Sequence, residues 1–138
     1  MSRIALDVDF GKIHWADTEG RTGVLGPSWD PPHSMDLILA EIASPVDYTG
    51  ERAKYVGYRK WVIWNIWAIT CLSCRFTSVP VLVAPSSVWT KGYGPETRWQ
   101  IAGAKGRSKH CRDAQAMLFF YNLEPHRWVP LRTFMGGL

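Results

Sequence analysis

The run from Leu37 to Ala43, inside MDLILAEIASP, constrains this chain more than any other segment: it is apolar at every position except Glu41. Successive side chains of a strand point to opposite faces, so a strand apolar on both faces belongs inside a sheet covered above and below. An ionised carboxylate in such a strand is costly unless a cation or a hydrogen-bonded partner compensates it. Glu41 is therefore the first candidate for chemistry.

The residues before it read as an antiparallel meander. RIALDVDF, KIHWADTE and RTGVLG are three short strands within residues 3–26, with turns at Gly11 and Gly20. In the first, Ile4, Leu6 and Val8 alternate with Ala5, Asp7 and Asp9, so the two aspartates share one face. Mid-strand acids are disfavoured, and Asp7 reads either as a solvent-facing residue or as a functional one. GPSWDPPHS, with three prolines, is a loop.

Beyond Glu41, a helix is expected from near Gly50 to about Cys74, capped by Asp47 or Thr49. Its second half, WVIWNIWAITCL, is apolar almost all round, as in a helix buried on more than one side or at a subunit contact. Trp61, Trp64 and Trp67 read as core or subunit contact rather than a base-stacking platform. A strand is expected from about Val79 to Ala84. A helix should follow after Thr97, loosen at AGAKGRSK and resume from His110 to Asn122, and the tail after Pro125 reads as irregular. Helical crossovers after a meander give a mixed sheet of five strands, three antiparallel and two parallel, in one domain spanning 1–138.

Composition bounds the partners. With 46% apolar and 20% charged residues the chain is globular rather than disordered. A net charge of +4 and a pI near 9.1 leave a polyanion unrepelled without requiring one. No apolar run approaches the roughly 20 residues that span a bilayer, and MSRIALDVDF does not read as a secretory signal. The expectation is a cytoplasmic protein of a bacterial or phage-infected cell, with no membrane partner. Three cysteines make an odd number, which speaks against a full disulfide framework. Cys71, Cys74, Cys111 and His110 supply the ligand types of a structural zinc site, although small buried cysteines are the plainer reading.

IALDVDFGKIHWA, LILAEIASP, APSSVWTKG and HCRDAQAM occur in an order that resembles the RuvC-type Holliday-junction resolvases, a branch of the RNase H-like superfamily, and especially their small phage members. The resemblance implies an RNase H-like α/β fold and a crossover-junction endonuclease acting on branched DNA as a homodimer, paired through the helix of residues 51–74. It implies Asp7, Glu41, Asp113 and His110 as catalytic residues and ligands of two Mg²⁺ or Mn²⁺ ions, with Asp9 as a further candidate ligand. Asp9 stands where a turn glycine is usual, the helix between the third and fourth strands is replaced by the proline-rich loop, and His110 takes a position often held by an acid.

The chemistry of the residues agrees with that implication. Carboxylates are the ligands magnesium prefers, and paired divalent ions activate water and stabilise a leaving oxygen in phosphodiester hydrolysis. His110 and Asp113, three apart on a helix, project to one face. Lys105, Arg107, Lys109 and Arg112 precede or accompany them, with Gly103 and Gly106 between, and with Lys91 and Arg98 form a candidate DNA-binding track. A solvated basic face is the plainer alternative. Two other functions fit the same residues: a nucleic-acid-binding protein of this fold without catalysis, and a nuclease for flaps or RNA-containing substrates.

Overall fold

The computed structural model describes residues 2–26, 29–30, 34–43, 54–75 and 78–136. Strands β1 (Arg3–Asp9), β2 (Lys12–Asp17) and β3 (Thr22–Val24) form the meander, and β4 (Leu37–Glu41) follows. Helix α1 (Val56–Arg75) crosses to β5 (Val81–Ala84), and then come α2 (Ser86–Trp89), α3 (Pro95–Ala102) and α4 (Lys109–Leu123). The sheet order is β3-β2-β1-β4-β5-β6, with β4 parallel to both β1 and β5. The doubly apolar segment thus lies in the middle of the sheet. The expected cap at Asp47 or Thr49 and the first residues of the expected helix lie outside the described residues, as does most of the proline-rich loop.

The sixth strand corrects the expected count of five. The tail is regular: a 3-10 turn at Pro125–Arg127 leads into β6 (Val129–Pro130), antiparallel to β5, and then α5 (Leu131–Gly136). Two residues cannot display an alternating pattern, and proline argues against a strand except at an edge, where its missing N–H costs no ladder bond. Trp128 and Leu131 are buried and fasten this segment to the body.

Strand alternation divides the interior into two layers. Ile4, Leu6, Val8, Ile38, Ala40 and Ile42 pack on Ala68, Ile69 and Leu72 of α1. Ala5, Leu37, Leu39 and Ala84 pack on Ala114, Met117 and Phe120 of α4, with Trp89 and Trp128. By the same parity Asp7, Asp9 and Glu41 face α4, and His14, opposite Asp7 in the β1–β2 register, faces it too. The apolar stretch of α1 resolves into an inner face and an outer one, with Ile63 61% and Trp67 52% exposed on the outside.

Three polar groups of α1 hold the ends of β1 and β4. The indole N–H groups of Trp61 and Trp64 donate to the carbonyls of Val8 (3.1 Å) and Asp9 (2.8 Å). Asn65, fully buried, accepts from the Ala43 N–H at 2.8 Å and donates to the Glu41 carbonyl at 3.0 Å. Asn65 is thus a two-point clamp on the backbone beside Glu41. Replacing it strands a buried donor and a buried acceptor, each worth about 1–3 kcal/mol when left unmade. Asn65→Leu is expected to lower unfolding free energy by about 2–4 kcal/mol in urea titrations, more than its added apolar surface returns.

Candidate metal and nucleic-acid site

The carboxylates of three elements converge under α4. Asp7 comes from the middle of β1, Glu41 from the last position of β4, and Asp113 from the second turn of α4. Asp7 and Asp113 each lie near enough to Glu41 to disfavour its charge. Burial first, then those two neighbours, push the Glu41 carboxyl up to about 8, against the weaker opposing pull of the Trp89 indole N–H and Arg98. The Asp7 carboxyl is also raised, chiefly by burial, with the His110 hydrogen bond working the other way.

His110 joins the cluster from the first turn of α4, whose N-terminus Ser108 caps by accepting the Cys111 N–H at 3.0 Å. Its Nδ1 lies 2.7 Å from Asp7 Oδ2 and its Nε2 3.2 Å from Asp9 Oδ2. These acids raise its pKa, the Asp7 hydrogen bond most of all, against its partial burial. The Asp9 carboxylate also accepts the Phe10 N–H at 2.8 Å, at the turn that Gly11 closes with φ of 75°.

Asp113 carries the most contacts. Arg98 approaches it in a two-pronged pair, Nε to Oδ1 at 2.9 Å and Nη2 to Oδ2 at 3.0 Å, and the Trp99 indole donates to Oδ1 at 2.7 Å. Arg98 is in turn stacked near the rings of Trp89 and Trp99. Its charge is therefore spent inside the site rather than offered outward. Beside Glu41, Arg98 and Asp113 opens a cleft of about 410 Å³ whose walls include Trp61, Trp89 and Tyr93. A mixed acidic floor with aromatic walls and one internal arginine suits a cation bridging protein carboxylates and a phosphate.

The basic track divides by the same accounting. Lys91 pairs with Glu124. Arg112 donates to the Gly106 carbonyl at 2.9 Å and lies 4.5 Å from the Trp99 ring centre, bracing the loop before α4. Lys105, Arg107 and Lys109 are exposed around the start of α4. The two glycines of this loop serve the fold, one by its backbone conformation and one by packing. Gly103 ends α3 in the left-handed region, and a Cβ on Gly106 would meet the Cys111 Cβ at 2.9 Å. The amides of Lys105 and Gly106 both donate to Gln115 Oε1, at 2.9 and 2.8 Å, so they are engaged within the chain.

Cys71 and Cys74 lie on α1 and Cys111 on α4, with the sheet between those helices, which rules out a zinc site made from the three. Asp17, the other buried acid, is a turn residue: it accepts from the amides of Glu19 and Arg21 and from the Arg21 guanidinium. His14 is a site residue that strand-by-strand reading passed over. It is buried and stacks on His110 with ring centres 4.7 Å apart. Pairing the register across the Gly11 turn would have found it, since His14 faces Asp7 directly.

No family model matches the chain, and no curated protein matches it. Solved structures do. A structure of Thermus thermophilus RuvC aligns with a TM-score of 0.58 at 14% identity, covering 94% of this chain and 99% of that one. Thermus thermophilus RuvC in complex with a Holliday junction substrate aligns with a TM-score of 0.57 at 13% identity and the same coverage. Among the described residues no helix is long and apolar enough to cross a membrane.

The raised acids fix the pH behaviour of the metal-free chain. For Glu41, unfolding restores a carboxyl of ordinary value 4.5, so ionisation above that pH favours the unfolded state until the folded group also ionises near 8. Asp7 acts in the same direction, and the stability that His110 gains from its acidic partners is lost as pH rises through its elevated folded pKa. The melting temperature in EDTA is expected to fall from pH 5 to pH 9. Glu41→Gln should flatten that slope and exceed wild type at pH 8.5 in thermal melts. At this level of identity the comparison speaks to architecture, and the architecture is that of RuvC: this chain has a RuvC-like, RNase H-like fold.

Proposed function

We propose that this chain is a divalent-metal-dependent endonuclease that resolves four-way or otherwise branched DNA. The observation that carries the reading is the convergence of Asp7, Glu41 and Asp113 on one face of a RuvC-like sheet, with Glu41 raised to about 8 by burial and by the other two acids. A site that penalises its own charge in this way is relieved by a cation, and oxygen donors suit Mg²⁺ or Mn²⁺. Asp7, Glu41 and Asp113 are the proposed ligands for two ions, with His110 assisting and Asp9 as a further ligand. Bound there, such ions supply an activated water and charge stabilisation at the leaving oxygen.

The chain's own groups do the rest. Arg98 orients Asp113 through the two-pronged pair and offsets part of the acidic charge. His110, bridging Asp7 and Asp9, is placed to hold or pass a proton at the rim of the site. Lys105, Arg107 and Lys109 are the proposed phosphate contacts, while Lys91, Arg98 and Arg112 support the site through their internal partners. The exposed outer face of α1, carrying Ile63 and Trp67, is the proposed homodimer contact, and a two-fold pair of sites suits symmetric incisions in a junction.

The deciding experiment is cleavage of a labelled four-way junction beside linear duplex, single strand, flap and RNA–DNA hybrid, in Mg²⁺, Mn²⁺ and EDTA. Paired, metal-dependent nicks in the junction are expected, falling to the EDTA level in Glu41→Gln. Cleavage confined to flaps or hybrids would replace the substrate, and tight junction binding without cleavage would replace the enzyme with a binding protein. In binding titrations, replacing Lys105, Arg107 and Lys109 together by alanine should weaken junction affinity and reduce the salt slope by up to about 2.7, roughly 0.9 per phosphate contact.

A further inference from the structure

We infer that Arg98 is a built-in competitor for the cation at Asp113, and that a DNA phosphate entering the cleft draws it away, so that metal loading and DNA binding reinforce each other. The inference rests on the metal-dependent reading above and concerns the regulation of that same site. Its starting point is the crowding of Asp113. A carboxylate oxygen offers about two lone-pair positions. Those of Oδ1 are filled by Arg98 Nε at 2.9 Å and the Trp99 indole at 2.7 Å, and Oδ2 accepts from Arg98 Nη2 at 3.0 Å. A cation that takes Asp113 therefore meets a guanidinium already seated on the same carboxylate.

The contact is too dry for both cations to share it comfortably. The side chains of Arg98 and Asp113 are only 14% and 18% exposed, and like charges a few ångströms apart repel strongly where little water screens them. Arg98 does not stand behind Asp113 as an outer support would: it lines the same cleft as Glu41 and Asp113. Its other holds are loose. Nη1 reaches the Tyr93 carbonyl at 3.4 Å, and the ring centres of Trp89 and Trp99 lie 5.4 and 5.9 Å from the guanidinium carbon. Aromatic faces attract the charge without fixing its direction. A phosphate offers a guanidinium the same planar, two-pronged pairing as a carboxylate. Partners can then be exchanged, Arg98 passing from Asp113 to the phosphate and Asp113 turning to the cation, with no charge left unpaired. Asp113 keeps its direction through the Trp99 N–H, a neutral donor that does not oppose a cation.

The exchange is read from metal affinity and its coupling to DNA, without turnover. Mn²⁺ is titrated into the full-length metal-free chain and followed by the electron paramagnetic resonance of free Mn²⁺. Arg98→Gln is expected to bind it at least about tenfold more tightly than wild type, because a like charge beside the ion is gone. A labelled four-way junction is then titrated in EDTA and in Ca²⁺, an ion that also takes oxygen ligands. Coupling between two ligands is reciprocal and typically about 5- to 150-fold. Ca²⁺ should tighten junction binding by wild type within that range, and by a smaller factor in Arg98→Gln, which has no guanidinium to release. Equal or weaker Mn²⁺ binding by Arg98→Gln, or an undiminished Ca²⁺ gain, would overturn the exchange alone. Absence of Mn²⁺ binding in both proteins would remove the metal-dependent reading together with it. Should Arg98→Gln fail to fold, the Nε–H resonance of Arg98 in wild type decides: Ca²⁺ and junction together must shift it, and an unmoved resonance rejects the exchange.

Discussion

Mutual repulsion among acids placed on one buried face governs this structure. Asp7, Asp9, Glu41 and Asp113 come from three elements that the sheet and α4 bring together, and at Asp7 and Glu41 burial leaves little water to separate the charges. Every neighbouring group answers that problem. Arg98 closes on Asp113, His110 lies between Asp7 and Asp9, and the Trp99 indole donates to Asp113. Glu41, with no cationic group hydrogen-bonded to it among the described residues, responds by holding its proton.

The hydrophobic layers make this arrangement sustainable. Burial of each large aliphatic side chain contributes about 1.5–3 kcal/mol, and the two layers together secure a sheet rigid enough to hold like charges close. The acids sit where the parallel strands β1 and β4 end, next to elements that carry the chain over the sheet. In open sheets with parallel strands, that end is the customary place for ligands.

Much of this was legible in the sequence, for definable reasons. The alternation of Ile4, Leu6 and Val8 with Asp7 and Asp9 assigned faces, and the doubly apolar run around Glu41 announced a central strand; both hold in the sheet. The order of motifs gave the architecture that the RuvC comparison bears out. What escaped was pairwise. Nothing in the spacing of Arg98 and Asp113 reveals a guanidinium locked onto a carboxylate, and the basic run before α4 does not show that Arg112 turns inward on its own loop. The role of Asn65 is not visible in the apolar run that contains it, because the backbone groups it satisfies lie more than twenty residues away. The short β6 escaped because two residues, one a proline, carry too little pattern.

Trp61, Trp64 and Asn65 lie on adjacent turns of one helix, yet between them they grip the terminal peptide groups of two neighbouring strands. Helix and acids are consequently one cooperative unit. A fluctuation that frays this part of α1 frees the ends of β1 and β4 in the same event, so the acids lose their alignment together rather than one by one. Local order in α1 thus acts as a threshold for the whole site: below it the acids relax apart into solvent, and above it they are held in register by a helix that contributes no charge of its own to them.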